Sequence, residues 1–337
     1  MPSPKQIHLI ANAHIDPVWL WDWREGLREI LATFAAACSL IEEHAEYRFT
    51  ASSASFYRRV QELDPPLLER IRQHVAEKRW AVVGGWWVEP DVNIPCGEAL
   101  IRQGVYGKRF FHTLLGCDVK VAFNPDTFGH PEGLPKILGA LGQDTYVFMR
   151  PGEREKPLPP LFRWRSADGS EVLAIRVLYG YGSDGQELVR KLRRLWELLE
   201  SLDLPALACF YGTGDHGGGP GRESLRILEE VRRQGAIPLV HSDPIGYREA
   251  VRAAEGQLPV VQDELQHHAR GCYSVNRRIK LRNRRAEHAL LAMERWAALA
   301  WRVLGERYPQ EPLEAHWQEL LFWQFHDVLA GTCIEAA

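Results

Sequence analysis

Short apolar runs alternate with longer stretches of helical spacing over the first two hundred and more residues. Ile7–Ile10 is the first apolar run, and it ends in a polar cluster. Glu25 to Glu43 carries helical spacing, and Asp64-Pro65 offers an N-cap followed by a proline at the first helical position. Leu68, Ile71 and Val75 repeat behind it, and Trp80–Val83 before Gly84-Gly85 reads as a buried strand. Further strand signals fall at Lys120–Phe123, Tyr146–Phe148 and Ala206–Tyr211. Strands separated by helices predict parallel βαβ units, hence a β/α barrel or an open doubly wound sheet. Periodicity alone does not separate the two. Beyond about residue 255 the pattern becomes helical: Ala286, Leu290, Met293, Ala297 and Ala300 form one stripe, and Leu313, Trp317, Leu320 and Leu321 a second. The chain therefore divides into an α/β domain, residues 1–258, and a small helical bundle, residues 259–337.

Composition narrows the function. A formal net charge of −3 supplies no global field for nucleic acid, and Arg277, Arg278, Lys280, Arg282, Arg284 and Arg285 read as a solvated helix start. No apolar run approaches the ~18 residues of a membrane span. Six scattered cysteines without a CxxC pair read as reduced thiols. Together with the absence of a signal-peptide pattern after Met1, they predict a cytoplasmic protein.

Polar residues gather where strand signals end, which is where parallel α/β folds place active sites. His14-Ile15-Asp16 closes the first run. Two residues apart in extended chain, His14 and Asp16 project to one side, and imidazole and carboxylate both suit zinc; the alternative is a turn whose aspartate caps the next segment. Asn124-Pro125-Asp126-Thr127-Phe128-Gly129-His130 follows the run at Val121. Gly212-Thr213-Gly214-Asp215-His216-Gly217-Gly218-Gly219-Pro220 follows Leu207–Tyr211. It fits neither phosphate-binding glycine pattern, and its glycines suit backbone crowding around one carboxylate. Phe325-His326-Asp327 ends the last helical stretch, where a histidine also suits the negative end of a helix dipole. Trp86 and Trp87 suit either a sugar platform or the core.

Taken in order, His14-x-Asp16-Pro17-x-Trp19, Gly84-Gly85-Trp86, Asp126-x-Phe128-Gly129-His130 and His326-Asp327 with Gly331-Thr332 resemble glycoside hydrolase family 38, the retaining α-mannosidases. Gly214–Gly219 and Glu264–Gly271 resemble its bacterial and cytosolic branch. The resemblance implies a seven-stranded parallel β/α barrel and one zinc ion per chain held by His14, Asp16, Asp126 and His326. It further implies Asp126 as nucleophile, Asp215 as acid/base with His216 as the fallback, and an α-mannoside substrate met by Trp19, Phe128, Asp327 and His268. Family members continue for several hundred residues past the His-Asp motif. Missing domains or a partner chain, or an oligomer, are therefore expected, with exposed apolar side chains around residues 290–337 and a site open on the His326 side. Two other classes fit the residues less fully: a partner-requiring or inactive fragment, and another metal-dependent hydrolase or deacetylase on a β/α barrel.

Overall fold

Apolar runs of three to six residues are long enough for buried strands and too short for helices. The computed structural model, which describes residues 4–336, turns them into ten strands. These are β1 Gln6–Ala11, β2 Phe49–Ala51, β3 Trp80–Val82, β4 Val121–Asn124, β5 Thr145–Phe148, β6 Leu161–Arg165, β7 Glu171–Arg176, β8 Ala206–Tyr211, β9 Leu239–Ser242 and β10 Val260–Val261. The predicted helices form at Trp23–Glu43, capped by Asp22, and at Pro65–Ala76, where Asp64 accepts from Leu67 N.

Every strand pair is parallel except β6–β7. That antiparallel hairpin turns at Asp168-Gly169, where Gly169 has φ +88°, a turn the dipeptide favours. The ladders give sheets in the orders β8-β1-β9, β10-β6-β7-β5-β4 and β2-β3. Single contacts bridge them: Asn12 with Thr50, Gly84 N to Val121 O, and Ser183 with Gly212. The α/β class with mostly parallel strands is thus present, and among the described residues the ladders form three sheets joined by these single contacts. Ile10, Val83, Phe123, Val147, Ile175, Ala208 and Phe210, drawn from strands of all three sheets or from residues adjoining them, pack into one core with Tyr247 and Val251. Trp86 and Trp87 are both buried, which gives them core roles.

Beyond the expected boundary at 258 the chain does not leave the sheet at once. Val260 and Val261 pair with β6, and Leu265 exchanges backbone hydrogen bonds with His130. Helices Arg277–Leu304, Gln310–Trp323 and His326–Ala330 follow. Leu313, Trp317, Leu320 and Leu321 are buried as their stripe predicts. In the other stripe Leu290 is buried and Ala286, Ala297 and Ala300 are half-buried, while Met293 is exposed. Trp296, Trp301 and Leu304, off that stripe, are exposed too.

Candidate active site

Loops from the carboxyl ends of β1, β4 and β8 meet the start of the short helix His326–Ala330. The β1 loop is extended at Ile15, whose side chain is buried in the main core while His14 and Asp16 point the other way. Asn12 fixes the start of this loop by donating to the carbonyls of Tyr181 and Tyr211 at 3.0 and 3.3 Å. The imidazole Nε2 of His14, the Oδ1 of Asp16 and the Nε2 of His326 lie within 4.8 Å of one another. His14 Nε2 is 2.9 Å from Asp16 Oδ1, and His326 Nε2 is 3.6 Å from the same oxygen. Asp126 stands beside this triad, its Oδ2 3.9 Å from His326 Nε2.

All four residues are buried, yet the three converging atoms have no partner with hydrogen-bond geometry. Orphaned buried polar atoms are costly. Two imidazole nitrogens and a carboxylate oxygen aimed at one point, with a second carboxylate adjacent, fit the donor set of zinc.

Without a metal, the corner holds protons instead. Burial disfavours the His14 and His326 cations, but neighbouring carboxylates outweigh it. Asp16 and Glu89 raise His14 well above the ordinary histidine range, and Asp16 and Asp327 raise His326 to about 9. Burial opposes ionisation of Asp16 too, and His14 overcomes it, bringing the carboxyl to about 2. Asp327 moves the other way, up to about 6, through burial and the nearby charges of Asp16 and Asp126.

Asp126 is aimed by Arg150, whose Nε and Nη2 each lie 2.6 Å from Oδ1. Arg150 Nη1 donates to His268 Nε2 at 2.9 Å, and His268 Nδ1 faces Glu155 Oε1 at 2.6 Å. The loop itself is locked by His130, which bonds the Arg150 carbonyl through Nε2 at 2.9 Å and accepts from the Tyr146 hydroxyl through Nδ1. Burial depresses His130 to about 3, so it is a neutral structural strut. Gly129, at φ +131°, leaves no room for a Cβ, which would stand 2.1 Å from Gln266 Oε1.

Asp215 reaches the same place from the glycine-rich loop. Its carbonyl accepts from Asp16 N at 2.8 Å, and its carboxylate accepts from the Tyr181 hydroxyl. The charges of Asp126 and Asp215, added to burial, hold that phenol well above its usual range, so it stays a donor. Asp215 has φ 61°, and the next residue turns away: His216 is exposed, bonded to Glu25 at 2.8 Å and edge-on to Trp21. The fallback acid therefore lies outside the cluster. A cleft of about 390 Å³ lined by Met149, Tyr181, Asp184, Glu187 and Asp215 opens alongside.

The remaining sites spread around this centre. Phe128 is buried, its ring 5.9 Å from His326 and 5.7 Å from His268. Trp19 is half-buried, 5.7 Å from Trp21. Asp327 is buried and accepts from the Thr332 hydroxyl. The expected opening on the His326 side is absent. His326 is wholly buried, its Nδ1 donates to the Glu89 carbonyl at 3.0 Å, and Phe325 bridges Pro90. Arg150, Tyr181 and Glu89 escape a reading of the sequence. The signal for the first two is their place just beyond β5 and β7.

Residues 4–267 match the model of the glycosyl hydrolases family 38 N-terminal domain, and residues 267–337 the alpha mannosidase middle domain. Alpha-mannosidase 2C1 of Homo sapiens is 32% identical over 99% of this chain and 32% of its own length. An alpha-mannosidase of Saccharomyces cerevisiae is 31% identical over 98% of the chain and 32% of its own length. The chain thus spans about a third of the length of these relatives. The crystal structure of an alpha-mannosidase from Enterococcus faecalis superposes with a TM-score of 0.82 at 18% identity, covering 98% of this chain and 39% of that one.

Proposed function

The chain belongs to glycosyl hydrolases family 38, and from that premise we propose that it carries the catalytic site of a zinc-dependent retaining α-mannosidase acting on terminal α-D-mannosides. The observation that supports this most is the convergence of buried His14, Asp16 and His326 beside Asp126, with Asp215 linked to the same centre through Asp16 and Tyr181.

His14, Asp16, Asp126 and His326 would hold one zinc ion per chain. When bound, zinc supplies a Lewis acid that grips vicinal hydroxyls of the sugar, and the cis 2- and 3-oxygens of mannose suit that grip. Asp126 attacks the anomeric carbon as the glycosidic bond breaks, and Asp215 passes its proton to the departing oxygen. Asp215, now a carboxylate, then takes a proton from water as that water displaces Asp126 and restores the starting configuration. Arg150 holds Asp126 Oδ1 and so fixes the orientation of the carboxylate, and Tyr181 orients Asp215. Trp19, Phe128, Asp327 and His268 are the proposed sugar contacts. The cleft beside Asp215 would take the leaving group.

The same proposal includes an α/β domain over residues 1–258 closing toward seven parallel strands, and a helical domain over residues 259–337, with β10 and Leu265 carrying the sheet a few residues further. Completion by further domains or a partner chain is supported by the share of the relatives' length that the chain spans. A cytoplasmic setting is supported by six unpaired cysteines. Among the described residues no helix is long and apolar enough to cross a membrane. The test is hydrolysis of an aryl α-mannoside by the zinc-loaded chain, after chelation, and after zinc is restored. Turnover should vanish on chelation and return with zinc. A zinc-loaded, folded chain that leaves the substrate intact overturns the proposal for this polypeptide.

A further inference from the structure

Both imidazoles of the zinc corner are held from behind by one residue. Glu89 is buried, in the segment that leaves β3 through Trp86 and Trp87. Its Oε2 lies 3.1 Å from His14 Nδ1, a charge contact without hydrogen-bond geometry. Its other carboxylate oxygen accepts from the Ser52 hydroxyl, and its backbone carbonyl accepts from His326 Nδ1 at 3.0 Å.

A carbonyl oxygen only accepts, so His326 keeps a proton on Nδ1 and turns Nε2 toward Asp16 and Asp126. The Glu89 carboxylate beside His14 Nδ1 acts on that ring by charge: it favours a proton on Nδ1 and leaves the Nε2 lone pair for the common point. Ser52 occupies one Glu89 oxygen and so leaves the second for His14. The segment is also tied to the His326 helix itself. Pro90 bridges Phe325, and Asp91 N donates to Gln324 O at 2.9 Å, so the carbonyl and the ring it holds form one unit. Carboxylate and carbonyl partners behind metal-bound histidines fix ring orientation and strengthen the nitrogen as a donor.

Resting on the zinc reading above, we infer that Glu89 is a positioning residue: it fixes the tautomer and orientation of His14 and His326 and thereby sets the affinity of the chain for zinc. It faces the far side of both rings from the converging atoms, so it acts through them and not on the sugar.

The test is calorimetric titration of zinc into metal-free wild type, Glu89→Gln, Glu89→Ala and Ser52→Ala, with thermal unfolding of each metal-free form. Losses of such partners cost roughly 10- to 100-fold in metal affinity. Glu89→Ala should sit near the upper end. Glu89→Gln, which keeps an acceptor but not the charge, should sit near the lower end, and Ser52→Ala below it. The metal-free unfolding temperature of Glu89→Gln should stay close to wild type. Should Glu89→Ala fail to fold, Glu89→Gln decides alone. Zinc binding by folded Glu89→Gln as tight as wild type overturns the inference, as does a loss of metal-free stability with affinity unchanged. His14→Ala separates the two layers: if it too binds zinc like wild type, or wild type binds none, the zinc reading itself falls.

Discussion

The His14–Asp16–His326 corner and the glycine-rich loop lie side by side, joined by the Asp16 N–Asp215 O hydrogen bond, yet they are built on opposite terms. His14, Asp16 and His326 are at most 2% exposed, each ring or carboxylate fixed by neighbours on more than one element. The loop from Gly212 to Pro220 has five residues at positive φ among its glycines and Asp215, and Asp215 itself is half-buried. Holding an ion needs fixed, desolvated ligands. Handing a proton to a leaving group and taking one back from water needs a carboxyl that water can reach. The difference separates binding from proton transfer, and each substitution below should disturb one side more than the other.

The largest effect belongs to the residue shared by both tasks. Asp126→Ala should lower kcat roughly 10^4- to 10^6-fold, in the range seen when a nucleophile is removed, and weaken zinc in the same titration. Asp215→Ala should cost roughly 10^2- to 10^4-fold on substrates with poor leaving groups, much less on activated aryl mannosides, with zinc affinity intact. Equal zinc loss in both variants would erase the contrast between corner and loop.

Acidity gives a third effect, on the corner alone. His326 sits at about 9 when folded and metal-free, above its unfolded value of 6.5. Its stabilising contribution is therefore complete below pH 6.5 and lost as pH rises through 9. The unfolding temperature of metal-free protein should fall across that window, while the zinc-loaded form holds. Zinc must displace that proton and the one on His14, so its affinity should rise by at least roughly tenfold per pH unit up to about pH 9. A flat affinity would show that the imidazole is not a ligand. The smallest effect is expected of His216→Ala, within about twofold in kcat, as for an exposed side chain outside the cluster.

The strand-end motifs are legible in the sequence because each places a chemically unusual group directly after an apolar run. His14 and Asp16 flank Ile15, and burying Ile15 forces both toward the site. Arg150, Tyr181 and Glu89 carry no such pattern. Each is a single polar residue whose partner lies on another element, so only the folded strands reveal it. The β6–β7 hairpin is readable in principle from Asp168-Gly169 between two apolar runs. The joining of the three sheets is not, since it depends on isolated bridges such as Asn12–Thr50. The helical tail shows a different limit: spacing identifies the face of Leu290 and Met293 but not where its cover stops, and Leu290 is buried while Met293 is exposed. Only chemistry favours Asp215 over His216 in the sequence, and the structure orients them oppositely because Asp215 is at φ 61° in a loop whose glycines also take positive φ.

Double displacement on Asp126 in a zinc-dependent site would be read from the anomeric configuration of the first product. Proton NMR of an aryl α-mannoside during hydrolysis by the zinc-loaded protein should show α-mannose forming first, with the β-anomer appearing only by later mutarotation. Initial release of β-mannose, or α-mannose formed at the same rate after zinc is removed, would contradict it.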